Sequence, residues 1–238
     1  MSIETHQQIP NCPPPLSSPG TVDYCYNPYC RIRFVILIWS QIIFGEVQMG
    51  YSQAQKEKTH KRIVAIASKR FREKGLAGFG IAELMKEAGL TVGGFYKHFD
   101  SRDELVVEAL SDAFGVWQRQ KDAAESSGQP LSFEKLIDDY VSNVHHKNPG
   151  AGCAFSALAP EIARSDKRTR SLTSDQVKAD LDLIAGLLPG RNKRAARSKA
   201  ILTFSALIGA MSLARAVSDE ALSHEILNTV ADLLKHPT

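Results

Sequence analysis

The chain has 238 residues, 43% hydrophobic and 23% charged, which excludes a collagen-like or wholly disordered polymer and describes a globular protein of one or two domains. No continuous apolar run reaches the roughly 20 residues that span a bilayer, and the longest, residues 34–44, is broken by Ser40 and Gln41. No membrane partner is expected. Four cysteines are too few for a disulfide framework in a chain of this length, so a reduced, cytoplasmic setting is expected.

The net charge of +3 averages over unlike regions. Residues 1–48 hold six of the eleven prolines and three of the four cysteines (Cys12, Cys25, Cys30) with little helical periodicity, and read as a disordered extension of net charge −1. Residues 49–102 carry eleven Lys and Arg against five acids, net +6, and residues 103–238 are net −2. Such asymmetry points to a small anion-binding module joined to a larger, slightly acidic domain.

From about Gln53 the pattern is helical nearly throughout, and no strand-like alternation of useful length follows residue 50. The first helix places Ile63, Val64, Ala67 and Phe71 on one face and stops at Gly75. A second runs over about 81–88 and ends at Gly89. Thr91 is a suitable N-cap for a third helix over 92–99, with Phe95 and Phe99 turned inward. Ser101 with Glu104 three positions later forms a capping-box pattern that opens a long helix from 102 to about 125. Further helices are expected over about 131–144, 154–163, 167–188, 193–217 and 219–234, with Pro160 kinking or ending its helix. The fold class is all-α: a three-helix basic head, a long connecting helix and a C-terminal bundle.

The second helix, the turn at Gly89 and the third helix have helix-turn-helix spacing, in which the second element enters the major groove of a duplex. Many helical bundles contain such hairpins. The polar chemistry beside this one, Thr91, Tyr96, Lys97, His98 and Arg102, suits phosphate contact better than a merely solvated face.

The stretch 63–110, IVAIASKRFREKGLAGFGIAELMKEAGLTVGGFYKHFDSRDELVVEAL, resembles the N-terminal domain of TetR-type transcriptional regulators, most tellingly in GLTVGGFYKHFDSRDEL. The resemblance covers about fifty residues. It implies a homodimer with two heads on double-stranded DNA, an inverted-repeat operator and a small-molecule effector that loosens DNA binding. Carried over position by position, Thr91 and Gly93 approach the DNA backbone, Tyr96 and His98 touch phosphate with Lys97 between them, and Arg102 matches a usual Lys at the next helix start. Val92 offers only an apolar contact, and Phe95 and Phe99 match core positions. The chain departs from the pattern at Gly80 and Ile81, where a Thr-rich cap is usual, and Gly94 leaves few side chains for base readout. The domains read as the extension 1–48, a DNA-binding head 49–102 and a ligand-binding and dimerisation domain 103–238. Met49 precedes GYSQAQKEKTHKR, similar to the usual basic start of these regulators, so residues 1–48 read either as the product of an upstream start assignment or as a disordered arm.

In the C-terminal part, residues 201–217 (ILTFSALIGAMSLARAV) are apolar almost all round and contain small residues that admit a close helix neighbour, as a dimer interface or a deep core would require. A ligand pocket is expected to draw on Phe114, Trp117, Tyr140, Cys153 and Phe155, with Leu105, Ala109, Phe133 and Leu136 nearby, most of them core residues under any reading. Cys153 reads first as a small buried apolar residue; some relatives with a Gly-Cys pair here resemble sensors of electrophiles or oxidants. His145 and His146 lack a second ligand pair, and no phosphate loop or nucleophile elbow appears, so neither a metal, a cofactor nor a catalytic set is expected. The reading from another class is an all-α small-molecule-binding protein or enzyme without specific DNA binding, which retention on a palindromic DNA fragment would distinguish.

Overall fold

An apolar stripe turns one face of the first helix, α1 (residues 52–74), inward: Ile63, Val64, Ala67 and Phe71 are buried while Lys61, Arg62 and Lys69 stay exposed. The computed structural model describes residues 52–236, and from Ala54 onward the chain forms one compact unit. The readings made for residues 1–48 lie outside the described residues. Gly75 takes φ +83 and its N–H bonds Phe71 O at 2.8 Å, closing α1 in the left-handed conformation that glycine adopts without steric penalty.

Helix α2 (Ile81–Glu87) buries Leu84 and Met85 and reverses at Gly89, φ +69, where Leu90 N–H bonds Met85 O at 2.8 Å. The next element differs from the α-helix predicted over 92–99. It is a six-residue 3-10 helix, Val92–Lys97, behind an extended Thr91 that makes no side-chain cap bond. Gly93 and Gly94 explain the difference, since each glycine weakens an α-helix by about 1 kcal/mol and two in succession leave little to hold a full turn. Phe95 and Phe99 are nonetheless buried, their rings stacked with centroids 5.3 Å apart.

Helix α3 (Arg102–Ala113) starts as its capping residues predict: Glu104 N–H bonds Ser101 Oγ at 3.1 Å, and the Glu104 carboxylate accepts Asp100 N–H at 2.6 Å. The long helix predicted to run on to residue 125 is in fact two. Phe114 is extended, Gly115 sits at φ +70, and α4 (Val116–Ser126) leaves in a new direction. Helices α5 (Phe133–Val141) and α6 (Asn143–Lys147) are likewise separate, because Ser142 leaves the helical region and caps α6 through His145 N–H. A 3-10 turn, Pro149–Ala151, leads into α7 (Ala154–Ile162). Pro160 lies inside α7 and cannot donate to the Ser156 carbonyl; the Ser212 hydroxyl supplies that bond at 2.9 Å, so the helix continues through the proline.

Helices α8 (Lys167–Leu187), α9 (Lys193–Ala216) and α10 (Glu220–Lys235) complete an all-helical architecture, with no strand among the described residues. Helix α9 packs against α7, α8 and α10 and buries Phe204, Leu207, Ala210 and Met211. By length and mean hydropathy, 1.3 over its most apolar window, α9 is long and apolar enough to cross a bilayer, although polar residues interrupt its apolar run. Its buried face is that of a bundle helix, yet Ile201, Leu202 and Leu213 are exposed, as are Leu222 and Leu233 on α10.

The break at Gly115 rests on backbone conformation alone, because a Cβ there would meet nothing closer than Arg119 Nη1 at 3.5 Å. Gly115→Ala is therefore expected to destabilise the fold by about 1–2 kcal/mol, read as a lower urea midpoint with an unchanged m value.

Candidate functional site

Two places concentrate polar chemistry. The first is the outer surface of the 3-10 helix and its flanks. Tyr96 is 69% exposed and Val92 50%, although both are the kind of side chain a fold usually buries. Thr91, Gly93 and Lys97 are exposed beside them. A Cβ at Gly93 would meet no atom within 4 Å, so nothing in the chain's own packing asks for glycine there. Part of the positive charge of the head is already paired: Arg70 holds Glu73 and Glu87, Lys74 holds Glu83, and Lys61 holds Glu57. Among the described residues Lys56, Lys58, Arg62, Lys86 and Lys97 have no such partner.

His98 and Arg102 are placed differently from their neighbours. His98 is half-buried against His60 and Phe99, and its Nδ1 is enclosed without a hydrogen-bond partner. Burial, and then the charges of His60, Lys56 and Lys97, push its imidazole below the ordinary value, which leaves it neutral near pH 7. Arg102 turns inward: its guanidinium donates to the carbonyls of Leu76 and Phe79 and lies 5.8 Å from the Phe71 ring centroid. That guanidinium is committed to holding the loop between α1 and α2, a role the position at a helix start did not reveal.

The second place is a half-open cavity of about 470 Å³ lined by residues of α3 to α9. It brings together Phe114, Trp117, Tyr140, Cys153 and Phe155. Leu105, Ala109, Phe133 and Leu136 are buried in the core and do not line it. The aromatic walls interlock: Phe114 stacks on Phe155 at 5.0 Å, and Phe204 meets both Phe155 (5.3 Å) and Trp117 (5.5 Å) edge-on. Burial pushes the Cys153 thiol up, so it stays protonated at neutral pH, the state of an inert core cysteine rather than an activated one.

The sequence reading missed Phe204, His145 and Asp180. His145 donates from Nδ1 to Tyr140 O at 2.5 Å and accepts Cys153 N–H on Nε2 at 2.9 Å, which fixes it as the neutral tautomer. It braces the cavity wall. Asp180 is 8% exposed and bonded only to the Gln176 amide, 2.9 Å away. Its signal was legible, because Val177, Asp180, Leu181 and Ile184 share one helical stripe and an acid within an apolar stripe is out of place. Burial pushes its carboxyl from 3.8 up to about 6.

The cavity and the head meet through one short segment. Arg72 of α1 donates to Gly150 O from Nε (2.9 Å) and Nη2 (2.5 Å), while Ala151, Gly152 and Cys153 line the cavity. One helix on, the Glu161 carboxylate accepts Leu76 N–H at 2.7 Å, tying α7 to the end of α1. Arg215 of α9 grips the far side, donating to the carbonyls of His145 (2.6 Å) and His146 (3.2 Å).

The all-helical chain thus carries a helix-turn-helix arrangement, α2, the turn at Gly89 and the 3-10 helix, with an exposed and partly basic outer segment. Residues 63–109 match the family described as bacterial regulatory proteins, tetR family. An uncharacterized HTH-type transcriptional regulator in the lacX 3' region of Lactococcus lactis subsp. lactis is 25% identical over 187 residues, 74% of this chain and 91% of the relative. One from Haemophilus influenzae is 23% identical over 191 residues, 75% and 90% of the two chains. The crystal structure of reduced Escherichia coli NemR shares the fold with a TM-score of 0.61 at 19% identity, over 75% of this chain and 95% of that one. A TetR transcriptional regulator from Chloroflexus aurantiacus also gives 0.61, at 23% identity over 77% and 97%.

Two stability measurements follow. Arg102→Ala is expected to lower stability by about 1–3 kcal/mol, by orphaning two carbonyls and a ring face, whereas Lys97→Ala leaves it unchanged within about 0.5 kcal/mol. For Asp180 the folded-state pKa lies above the unfolded one, so ionisation opposes folding. The penalty is complete above pH 6 and fades as pH falls through 6 towards 4, with a size of about 3 kcal/mol. Asp180→Asn should therefore raise stability at pH 8 and leave it nearly unchanged at pH 4, read from denaturant midpoints at the two pH values.

Proposed function

We propose that this regulator is a homodimeric repressor that binds an inverted-repeat operator in the cytoplasm through its two heads and is released when a small molecule fills the 470 Å³ cavity. The observation that carries the reading is the segment 150–153, which lines the cavity on one side and on the other accepts the Arg72 bonds from the head. A ligand that displaces this segment or α7 also pulls on Arg72 and on Leu76 N–H, and so changes the angle at which α1 presents the head. The coupling needs only that ligand and operator favour different arrangements of these contacts.

For DNA contact the reading assigns Thr91, Tyr96 and Lys97 to phosphates, Gly93 to close approach of the duplex backbone and Val92 to an apolar base contact. The open space around Gly93 and the exposure of Tyr96 and Val92 support it. Arg102 and His98 act from behind, holding the segment in place. The domain division is then functional: a head from 49 to 102 and an effector and dimer domain from 103 to 238, joined within one compact unit. For the dimer, Ile201, Leu202 and Leu213 of α9 with Leu222 and Leu233 of α10 form an exposed apolar face that a second copy would cover with the same face across a two-fold axis.

Footprinting on the DNA around its own gene tests the whole: two protected half-sites about one helical turn or more apart are expected. A folded dimer that protects no DNA would favour the all-α binding protein or enzyme. Leu202→Glu together with Leu213→Glu is expected to give a folded monomer by sedimentation, with operator affinity lowered at least about 100-fold because each head must then bind alone. A double variant that remains dimeric moves the interface elsewhere.

A further inference from the structure

We propose that the cavity takes an organic cation with a bulky or aromatic apolar body, held by the Asp180 carboxylate and by the faces of Trp117, Tyr140, Phe155 and Phe204. The inference rests on the effector reading above and names the chemical class of that effector.

The charge inventory of the walls is one-sided. Asp180 and Asp139 line the cavity, and no Lys or Arg does. Asp139 is answered by Lys135 on its own helix. Among the described residues Asp180 has no cation beside it, and the group bonded to it is the neutral Gln176 amide. A carboxylate that is 8% exposed and unpaired is expensive to bury, and proteins normally pair such a group or replace it. His145 cannot answer it, because both of its ring nitrogens are used and both uses require the neutral form. Arg215 cannot either, since its guanidinium is spent on the carbonyls of His145 and His146 and on Ser156 Oγ.

The rest of the wall fits the same guest. Trp117 stands edge-on to Tyr140 (5.6 Å) and to Phe204 (5.5 Å), and all three rings line the same cavity as Asp180. Indole and phenol faces attract cations through their quadrupoles, most strongly when water is excluded. An anion would meet acids and, among the described residues, no lining Lys or Arg, and a neutral guest would leave the Asp180 charge unanswered. A cation supplies the opposite charge while its apolar body covers the aromatic walls.

Isothermal titration of the full-length protein, without DNA, tests the assignment with three probes of similar shape: tetraphenylphosphonium, neutral triphenylphosphine oxide and tetraphenylborate. The phosphonium is expected to bind at least about tenfold tighter than either of the others. Asp180→Asn, which the stability argument expects to fold, should lose that advantage while its affinity for the neutral probe stays unchanged. Equal binding of the borate, undiminished phosphonium binding by Asp180→Asn, or no phosphonium binding at all would overturn the proposal. Operator release is measured separately: a phosphonium that binds through Asp180 but leaves the operator complex intact refutes effector release and leaves the cation site standing.

Discussion

The arrangement depends on a stretch of backbone that has no room for side chains at two positions. A Cβ on Gly152 would lie 2.6 Å from His145 Cδ2 and 2.9 Å from Arg215 Nη2, and the His145 ring is pinned by hydrogen bonds at both nitrogens. On Gly150 it would lie 2.9 Å from Lys69 Cγ and closer still to the Glu73 carboxylate, which Arg70 holds. Residues 150–152 are thus wedged between α1 on one side and α6 with α9 on the other. That close approach lets Arg72 reach the Gly150 carbonyl and lets the next residues form a cavity wall. A larger residue at 152 would push the wall from His145, and with it the carbonyl that anchors the head.

Where the sequence carried local physics, the structure follows it. The stops at Gly75 and Gly89, the Ser101 and Glu104 cap, and the stripe Ile63, Val64, Ala67, Phe71 each depend on a residue and its near neighbours, and all are found. The break at Gly115 was hidden because a glycine inside a helical pattern weakens it by only about 1 kcal/mol, and tertiary packing decides whether the helix continues. The same packing turned the predicted recognition α-helix into a 3-10 helix: Gly93 and Gly94 lowered the local preference, and burial of Phe95 and Phe99 fixed the register. Phe204 was hidden for the opposite reason. In an almost wholly apolar helix nothing distinguishes a cavity face from a core face, whereas Asp180 stood out within its stripe.

Arg102 and His98 show the limit of assigning roles by position. Both sit at places that resemble DNA contacts, yet one is bound to two carbonyls and an aromatic face and the other is neutral and half-enclosed. What remains outermost is Thr91, Val92, Gly93, Tyr96 and Lys97, a surface with a single cation. The net charge of the head therefore overstates what it offers a duplex, because Lys61, Lys69, Arg70 and Lys74 are answered by carboxylates and the Arg72 and Arg102 guanidinium groups are spent on backbone carbonyls.

The cavity reverses that economy. In the head, part of the charge is paired internally; in the cavity wall the Asp180 carboxylate has only the neutral Gln176 amide beside it among the described residues. His145, Arg215, Arg72 and Glu161 each have their partners, and each ties the cavity wall to a neighbouring helix. Among the described residues Asp180 has no partner of opposite charge, and it lies on α8, which packs against α3, α4, α7 and α9. A guest that neutralised it would remove a destabilising term that α8 carries in the empty state, and the relief would reach every helix packed on α8. The wall residues Ala151, Gly152 and Cys153 follow directly on Gly150, whose carbonyl holds Arg72 of the head, so on the proposed reading a charged guest would act one residue away from the contact that holds the head.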